Sequence, residues 1–485
     1  MRWRGAAVVA VACGAAWPVA ATAQDSLGGA PRPPSPAAAP ADSACATCAP
    51  KRPLKAALEG LAVNVFLNRF DDWIRNAYNP WEGYWSRVGP RTWSANLRYG
   101  WEWDTDDFMT NMFSHPINGS AYFRAGRQNG LDFWESTPLP FLGSAEWEYF
   151  GETARPSLND FYNTSFGGIV LGEMTFRLAA LVRDNEAHGT GRVLRELAAL
   201  PLDPLGGIKR LLAGDWTRRS TNPREREPGA LALELRGGAR LAVDSGSDRH
   251  RSVESVLDAD LTYGDVFDKP YRVPFDAFEA RLLLGAGGNP VNELHVTGRL
   301  FAHEFTMKSN DLRMIFTVGQ RIEYSGNPAY KFGGQSIVVG LQAGVTLGDN
   351  FDVRAAGYGE GIMLGAVDAP GAGIDSSRRT YDFGPGVGFD IGASLRYRTF
   401  PVLSLRWQGA LVHSVSGSPA DHFTHLPSVE IGVPLTRTLA LGAYGGWYTR
   451  RSAYAGSPGE ATTYPDLRVY LVWQTDARPG KRQTP

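Results

Sequence analysis

At 485 residues the chain is too long for one ordinary compact domain, so two or more units are expected. A formal charge of −1 gives no case for nucleic acid as a partner. Charged residues make up 20% and aromatics 11%, with 56 glycines, a mix that suits a turn-rich β protein.

The chain opens MRWRGAAVVAVACGAAWPVAATAQ. Arg2 and Arg4 precede an apolar run from Ala6 to Ala20, and Ala21-Thr22-Ala23 is a small-x-small cleavage site. Residues 1–23 therefore read as a secretory signal peptide, the run being too short for a membrane span. A lipidated Cys13 is the lesser alternative. Residues 24–53 read as an extended Pro/Ala-rich linker. Cys45 and Cys48 lie in it as CATC; a local disulfide is favoured over a redox or metal motif, because no second ligand pair accompanies them.

Residues 54–215 read as a helical domain. Leu54 to about Ala77 is amphipathic, with Val63, Phe66, Leu67, Phe70, Trp73 and Ile74 at helical spacing, and Asn79-Pro80 ends it. Trp81 to Trp103 reads as an irregular aromatic loop or short strands. Its tryptophans form either a membrane-interface belt or the core of a loop-rich unit. Next, Ser114-His115-Pro116 enters a helix over Ile117 to Asn129, closed by Gly130. Leu131 to Gly151 is a second helix, interrupted near Pro138 and Pro140. Ser157 caps a third, with Asp160 three residues on, running to about Arg183. Gly167, Gly168 and Gly172 give it a smooth strip for close approach of another helix. Asn163 and Glu173 interrupt the run of ~20 apolar residues that crossing a bilayer needs.

This central stretch holds the candidate chemistry. Glu148 and Glu152 share a helix face, as do Asp160 and Asn163. His115 beside a carboxylate would make an acid–base or metal site, and Ser120, Ser136, Ser144 or Ser157 a nucleophile. The catalytic candidates are His115, Glu148, Glu152 and Asp160; the binding candidates are Arg127, Glu135, Asn163 and Glu173. The blander reading is favoured: the carboxylates pair with Arg124, Arg127 and Arg155 in buried and capping networks. No HExxH, GxSxG, Walker or GxGxxG element occurs, and no metal or cofactor is assigned.

The ordered motifs HPINGSAYFRAGRQNG, FWES, SAEWEYFGE and PSLNDFYNTSFGGIVLGE, preceded by WEWDTDDFMTN, resemble the bacterial domain-of-unknown-function family 3943 over Trp101 to Glu173. The resemblance implies an exported, envelope-associated protein and no particular activity. Glu152, Pro156-Ser157, Asp160, Asn163, Gly167 and Gly172 also resemble a helix pair of VanZ-like membrane proteins, whose transmembrane hydrophobicity this chain lacks.

Leu205 to Trp216 reads as a short amphipathic helix with basic Lys209 and Arg210, and residues 216–229 as a polar linker. From Ala230 the period becomes two. Leu231, Leu233 and Leu235 alternate with Glu234 and Arg236; Leu467, Val469, Leu471 and Trp473 alternate with Arg468 and Tyr470. Segments of ~10 residues, apolar out and polar in, predict an antiparallel transmembrane β-barrel of about 12 strands over residues 230–476, followed by a tail at 477–485. The fold class is thus α+β: a helical unit, then an outer-membrane barrel.

Glu234, Arg236, Glu279, Arg281, Arg299, Arg313, Arg321, Glu323, Arg354, Glu360, Arg396, Arg398, Arg406 and Arg468 are expected to face the lumen. Both charge signs favour a closed lumen, or one plugged by the N-terminal helices, over an open pore. The expected partners are outer-membrane lipid and an envelope lipid or glycan bound through the helical domain, which would lie in the periplasm or in the lumen. A lipid hydrolase or acyltransferase using His115, and a passive channel, are the alternatives.

Overall fold

The computed structural model describes residues 50–78, 86–223, 230–243, 251–267, 271–287, 290–307, 312–368, 379–456 and 458–475. The leader, nearly all of the linker with Cys45 and Cys48, Trp81, Trp85, residues 224–229 and the C-terminal tail lie outside them.

Twelve antiparallel strands close into a barrel in sequence order, the first pairing with the last. They are β1 Leu231–Val243, β2 Arg251–Tyr263, β3 Phe278–Gly285, β4 Val291–Phe305, β5 Leu312–Gly326, β6 Lys331–Leu347, β7 Phe351–Asp368, β8 Tyr381–Tyr397, β9 Phe400–His413, β10 Ala420–Pro434, β11 Leu439–Tyr454 and β12 Glu460–Gln474. Both barrel termini lie at one end, here the terminal end, with the short turns 348–350, 398–399 and 435–438. That end also carries the long connection 264–277, while the opposite, loop end carries the connection between Asp368 and Tyr381.

Alternation sorts the two faces as the sequence implies. Leu403, Leu405, Trp407, Ile431, Val433, Leu441, Val469 and Leu471 are exposed on the outer wall, the apolar surface of an outer-membrane barrel. The inner wall is charged and self-paired. Arg321 on β5 bonds Asp390 on β8 at 3.0 Å and Glu360 on β7. Arg236 on β1 reaches Glu430 on β10 at 3.1 Å, and Arg281 holds Asp258 at 2.7 Å. Tyr448 on β11 donates to Glu293 on β4, crossing the lumen. Toward the loop end Tyr330, Phe332, Ile362, Val412, Leu426 and Tyr464 pack together as an apolar layer. A cavity of about 460 Å³ remains, lined by Arg281, His295, Arg321, Arg406 and their neighbours. Arg398 departs from expectation: it sits exposed in the β8–β9 turn at φ 58°, bonded to Asn350, and not on the luminal wall.

The helices are α1 Pro53–Tyr78, α2 Pro90–Tyr99, α3 His115–Gln128, α4 Phe133–Ser136, α5 Pro138–Glu146, α6 Leu158–Tyr162, α7 Gly168–Val182, α8 Gly189–Ala199 and α9 Pro204–Leu212. π-type turns at Thr110–Ser114, Trp147–Gly151 and Asn163–Gly167 join several of them. Part of the expected irregular Trp81–Trp103 segment is in fact α2: Pro90 takes the first helical turn, where its missing N–H costs nothing, and Thr92 bonds Gly89. Ser157 caps α6 by accepting from the Asp160 N–H at 3.3 Å. From there Leu158–Val182 is helical throughout, and it is long and apolar enough to cross a membrane. Asn163 and Glu173 do not interrupt it because each is hydrogen-bonded inside the domain.

These helices neither plug the barrel nor sit beneath it. They pack on its outer wall. Ile169, Val170 and Phe123 form one core with Tyr263, Phe278, Val296 and Ile322, joined by Phe133 and Phe275. Phe108 and Met112 form another with Tyr324, Leu364, Tyr381 and Phe383. Ile322 and Tyr324 alternate along β5 with luminal Arg321 and Glu323, which fixes the side. The physical reason is complementarity: the lumen is filled by paired charges and tyrosines, whereas the apolar faces of α3 and α7 need an apolar wall. Outward from the wall come α7, then α3 and α5, then α1.

Candidate functional site

Glycine sets how α3 meets α7. A Cβ on Gly119 would collide with the Thr164 carbonyl, and one on Gly168 with the Gly119 backbone, so only glycines allow this crossing. The contact brings the N-terminus of α3 against α6 and the following π-type turn. His115 Nε2 lies 3.2 Å from Asp160 Oδ1, and His115 Nδ1 lies 3.3 Å from Thr164 Oγ1. The imidazole is thus held, largely buried, between a hydroxyl and a carboxylate, with Nε2 close to Asp160 but making no hydrogen bond. Asn159 Nδ2 donates to Asp160 at 2.9 Å, Asp104 at 2.8 Å and Asn111 at 2.7 Å. Asn163 donates to Asn111 at 3.3 Å.

Glu148 and Glu152 adjoin this group. Glu148 accepts from the Ser157 N–H at 2.6 Å, and Asn96 donates to the Glu152 carbonyl at 3.1 Å. Burial raises the Glu148 carboxyl well above the usual range, helped by the charge of Glu152. Burial pushes Glu152 up to about 8, with Asp106 and Asp104 adding to the shift. Burial lowers His115 to about 4, against the opposing pull of Asp104. The groups acting on both glutamates are chiefly other carboxylates. Among the described residues no three His, Cys, Asp or Glu side chains converge to hold a metal ion.

Five of the eight candidates thus converge: His115, Glu148, Glu152, Asp160 and Asn163. The other three do not. Glu135 is a surface group in a capping box with Asp132, bonded to Lys51 at 2.6 Å. Arg127 and Glu173 form a buried ion pair at 2.8 Å that also takes in Arg177, which bonds the Pro274 carbonyl and ties α7 to the barrel. None of the four serines neighbours His115 as a hydrogen-bond partner. Asp104, Asn111, Asn159 and Thr164 were not foreseen; Asn159 and Thr164 each lie one residue from a foreseen group. A second such group was missed entirely. His422 on β10 lies 2.8 Å from Ser452 Oγ on β11 and 2.9 Å from Asp382 on β8. All three are enclosed in the luminal wall, which suits a brace between strands.

The cluster sits level with the loop end. Arg379 donates to the Asp104 carbonyl at 2.9 Å, and Asn111 donates to Tyr381 Oη at 2.9 Å. Exposed aromatics flank it: Trp101 packs edge-on to Tyr149 at 5.3 Å, and Trp93 to Phe150 at 6.0 Å.

Residues 100–205 match the family described as Domain of unknown function (DUF3943). The match spans all five converging candidates and the buried Arg127–Glu173 pair. No curated protein matches the chain. Among solved structures, the NanC porin is similar at TM-score 0.27 and 10% identity, over 50% of this chain and 98% of its own. The outer membrane channel DcaP of Acinetobacter baumannii is similar at 0.24 and 8%, over 50% and 96%. Outer membrane phospholipase A from Escherichia coli is similar at 0.23 and 12%, over 50% and 92%. Likenesses this distant carry no argument about activity.

Proposed function

We propose that this outer-membrane barrel protein binds an envelope lipid or glycan through its helical domain, on the outside of the barrel, at the cluster around His115 and Asp160. The observation that carries this reading is a polar edge on the outside of the barrel. Asp104, His115 and Glu152 are half-buried there beside exposed aromatics, backed by buried Glu148, Asp160 and three asparagines, whereas the luminal charges pair mainly with one another. Carboxylates and amides accept and donate to hydroxyls, and aromatic faces stack on sugar rings. Carboxyls that burial holds toward the neutral form offer hydrogen bonds and little charge. The chemistry therefore favours a hydroxyl-rich headgroup.

The test is to purify the full chain with its native lipids and to measure envelope permeability in cells carrying His115→Ala with Glu148→Gln. The reading expects a co-isolating hydroxyl-rich lipid or glycan and altered permeability in the variant. It is lost if nothing co-isolates and permeability is unchanged.

One observation favours a second reading, a hydrolase or acyltransferase. In it Thr164 is the nucleophile, His115 the base and Asp160 the orienting carboxylate, the role division of a catalytic triad. Loss of lipid turnover by purified protein on Thr164→Val would support it, and undiminished turnover would exclude it.

A further inference from the structure

Three helices of the helical domain are inverted relative to a water-soluble protein. On α1 the inward face carries Asn64 and Asn68, 4% and 5% exposed, bonded to the carbonyls of Gly143, Ser86 and Gly151. Its outward face carries Leu54, Leu58, Leu61, Val65, Phe66, Phe70 and Trp73, from 42% to 74% exposed. On α8, Arg192 and Glu196 are buried while Leu194 and Leu197 face out. On α9, Lys209 and Arg210 turn inward to Glu59 and Glu196, leaving Ile208, Leu211 and Leu212 outside. Water would drive the opposite arrangement, with apolar stripes inside. Exposed apolar surface on this scale marks contact with something apolar.

Geometry says what that is. The domain packs on the barrel's outer wall, in the shell that acyl chains occupy around any outer-membrane barrel. At 26 residues α1 is about 39 Å long, against ~30 Å of hydrocarbon. It runs along the wall: Arg52 bonds Asn129, and Asn68 bonds Gly151 beside the loop-end cluster. Lys55 and Glu59 lie near its start, Arg69 and Asp72 near its end, and the turns between are uncharged. Exposed Trp73, Trp93, Tyr99 and Trp101 gather toward the loop end, where an interfacial aromatic belt would lie. From these observations we propose that the outer faces of α1, α8 and α9 contact the acyl chains of the bilayer that holds the barrel. The helical domain is then an intramembrane flank of the barrel and not a periplasmic one. This stands independently of what the polar cluster binds.

The test uses the full mature chain, with Cys45→Ser and Cys48→Ser, in vesicles of phosphatidylethanolamine and phosphatidylglycerol. A nitroxide is placed at Leu58→Cys or Val65→Cys, with Val469→Cys on the outer barrel wall as lipid reference and Arg437→Cys in the β10–β11 turn as water reference. Heat-modifiable gel mobility confirms a folded barrel in each, and the two α1 sites are read independently. The expected result is a collision ratio, oxygen over a water-soluble nickel chelate, several-fold above that of the Arg437 site and close to that of Val469. A ratio like that at Arg437 overturns the proposal. So does shielding from both reagents, which would mean that protein, including this chain's own N-terminal segment, covers α1.

Discussion

His115 and Asp160 meet across the α3–α6 contact at 3.2 Å, inside the polar cluster. The imidazole and the nearby Glu152 carboxyl are both held toward their neutral forms, with opposite consequences for pH.

A neutral His115, at about 4 against 6.5 in the unfolded chain, contributes stability that is present above pH 6.5 and lost as pH falls toward 4. Glu152, raised from 4.5 to about 8, contributes stability that is present below 4.5 and lost as pH rises through 8. The two oppose each other between 4.5 and 6.5. Above 6.5 only the raised carboxyls act, Glu152 together with Glu148 and Asp160, so the cluster is expected to loosen as pH rises from about 6.5 through 8. Hydrogen exchange of residues 147–162 should accelerate beyond its intrinsic pH dependence in that window, and Glu152→Gln should reduce the excess.

Gly119→Ala is expected to separate α3 from α7. The added methyl meets backbone, which cannot rotate away, so the cost is about 3 kcal/mol. Protease sensitivity of the helical domain should rise while the barrel keeps its heat-modifiable mobility.

Glu173→Gln weakens the buried network of Arg127, Arg177 and Glu173 that anchors α7 beside Pro274. Leaving buried guanidinium groups without their carboxylate costs about 3 kcal/mol or more. The expected outcome is a lower thermal midpoint of the helical domain, with Arg127→Met, Glu173→Met and Arg177→Met together less harmful than Glu173→Gln alone.

The wild-type barrel is expected to be silent in planar bilayers. Tyr448 reaches Glu293 across the bore, and the apolar layer around Phe332 and Val412 packs nearer the loop end. Tyr448→Ala combined with Phe332→Ala should introduce unitary conductance steps. Steps from the unmodified protein would show that the lumen opens.

Much of the barrel was legible because strand periodicity is local. Leu231 to Arg236 and Leu467 to Gln474 state their faces without reference to anything distant. Helix boundaries were legible where a cap states them, as at Ser157 and Gly130. The position of the helical domain was not legible. Its faces are apolar and polar in the usual proportions, and only the contacts of Asn64 and Asn68 reveal that the polar side is inside. Candidate residues converged where a helix brings near neighbours together, as with Asp160 and Asn163. Partners such as Asp104, Asn111 and His422 escaped because they are set by packing between segments far apart in the chain.

Among the described residues, the helices cover the outer wall of the early strands and leave that of β9 to β12 bare. A neighbour diffusing in the plane of the membrane therefore meets two chemically different sides: a smooth β wall on one, and on the other a ridged flank that carries the His115 cluster at its edge. The molecule has a front and a back within the bilayer, so any lateral association it makes is oriented by its own N-terminal domain.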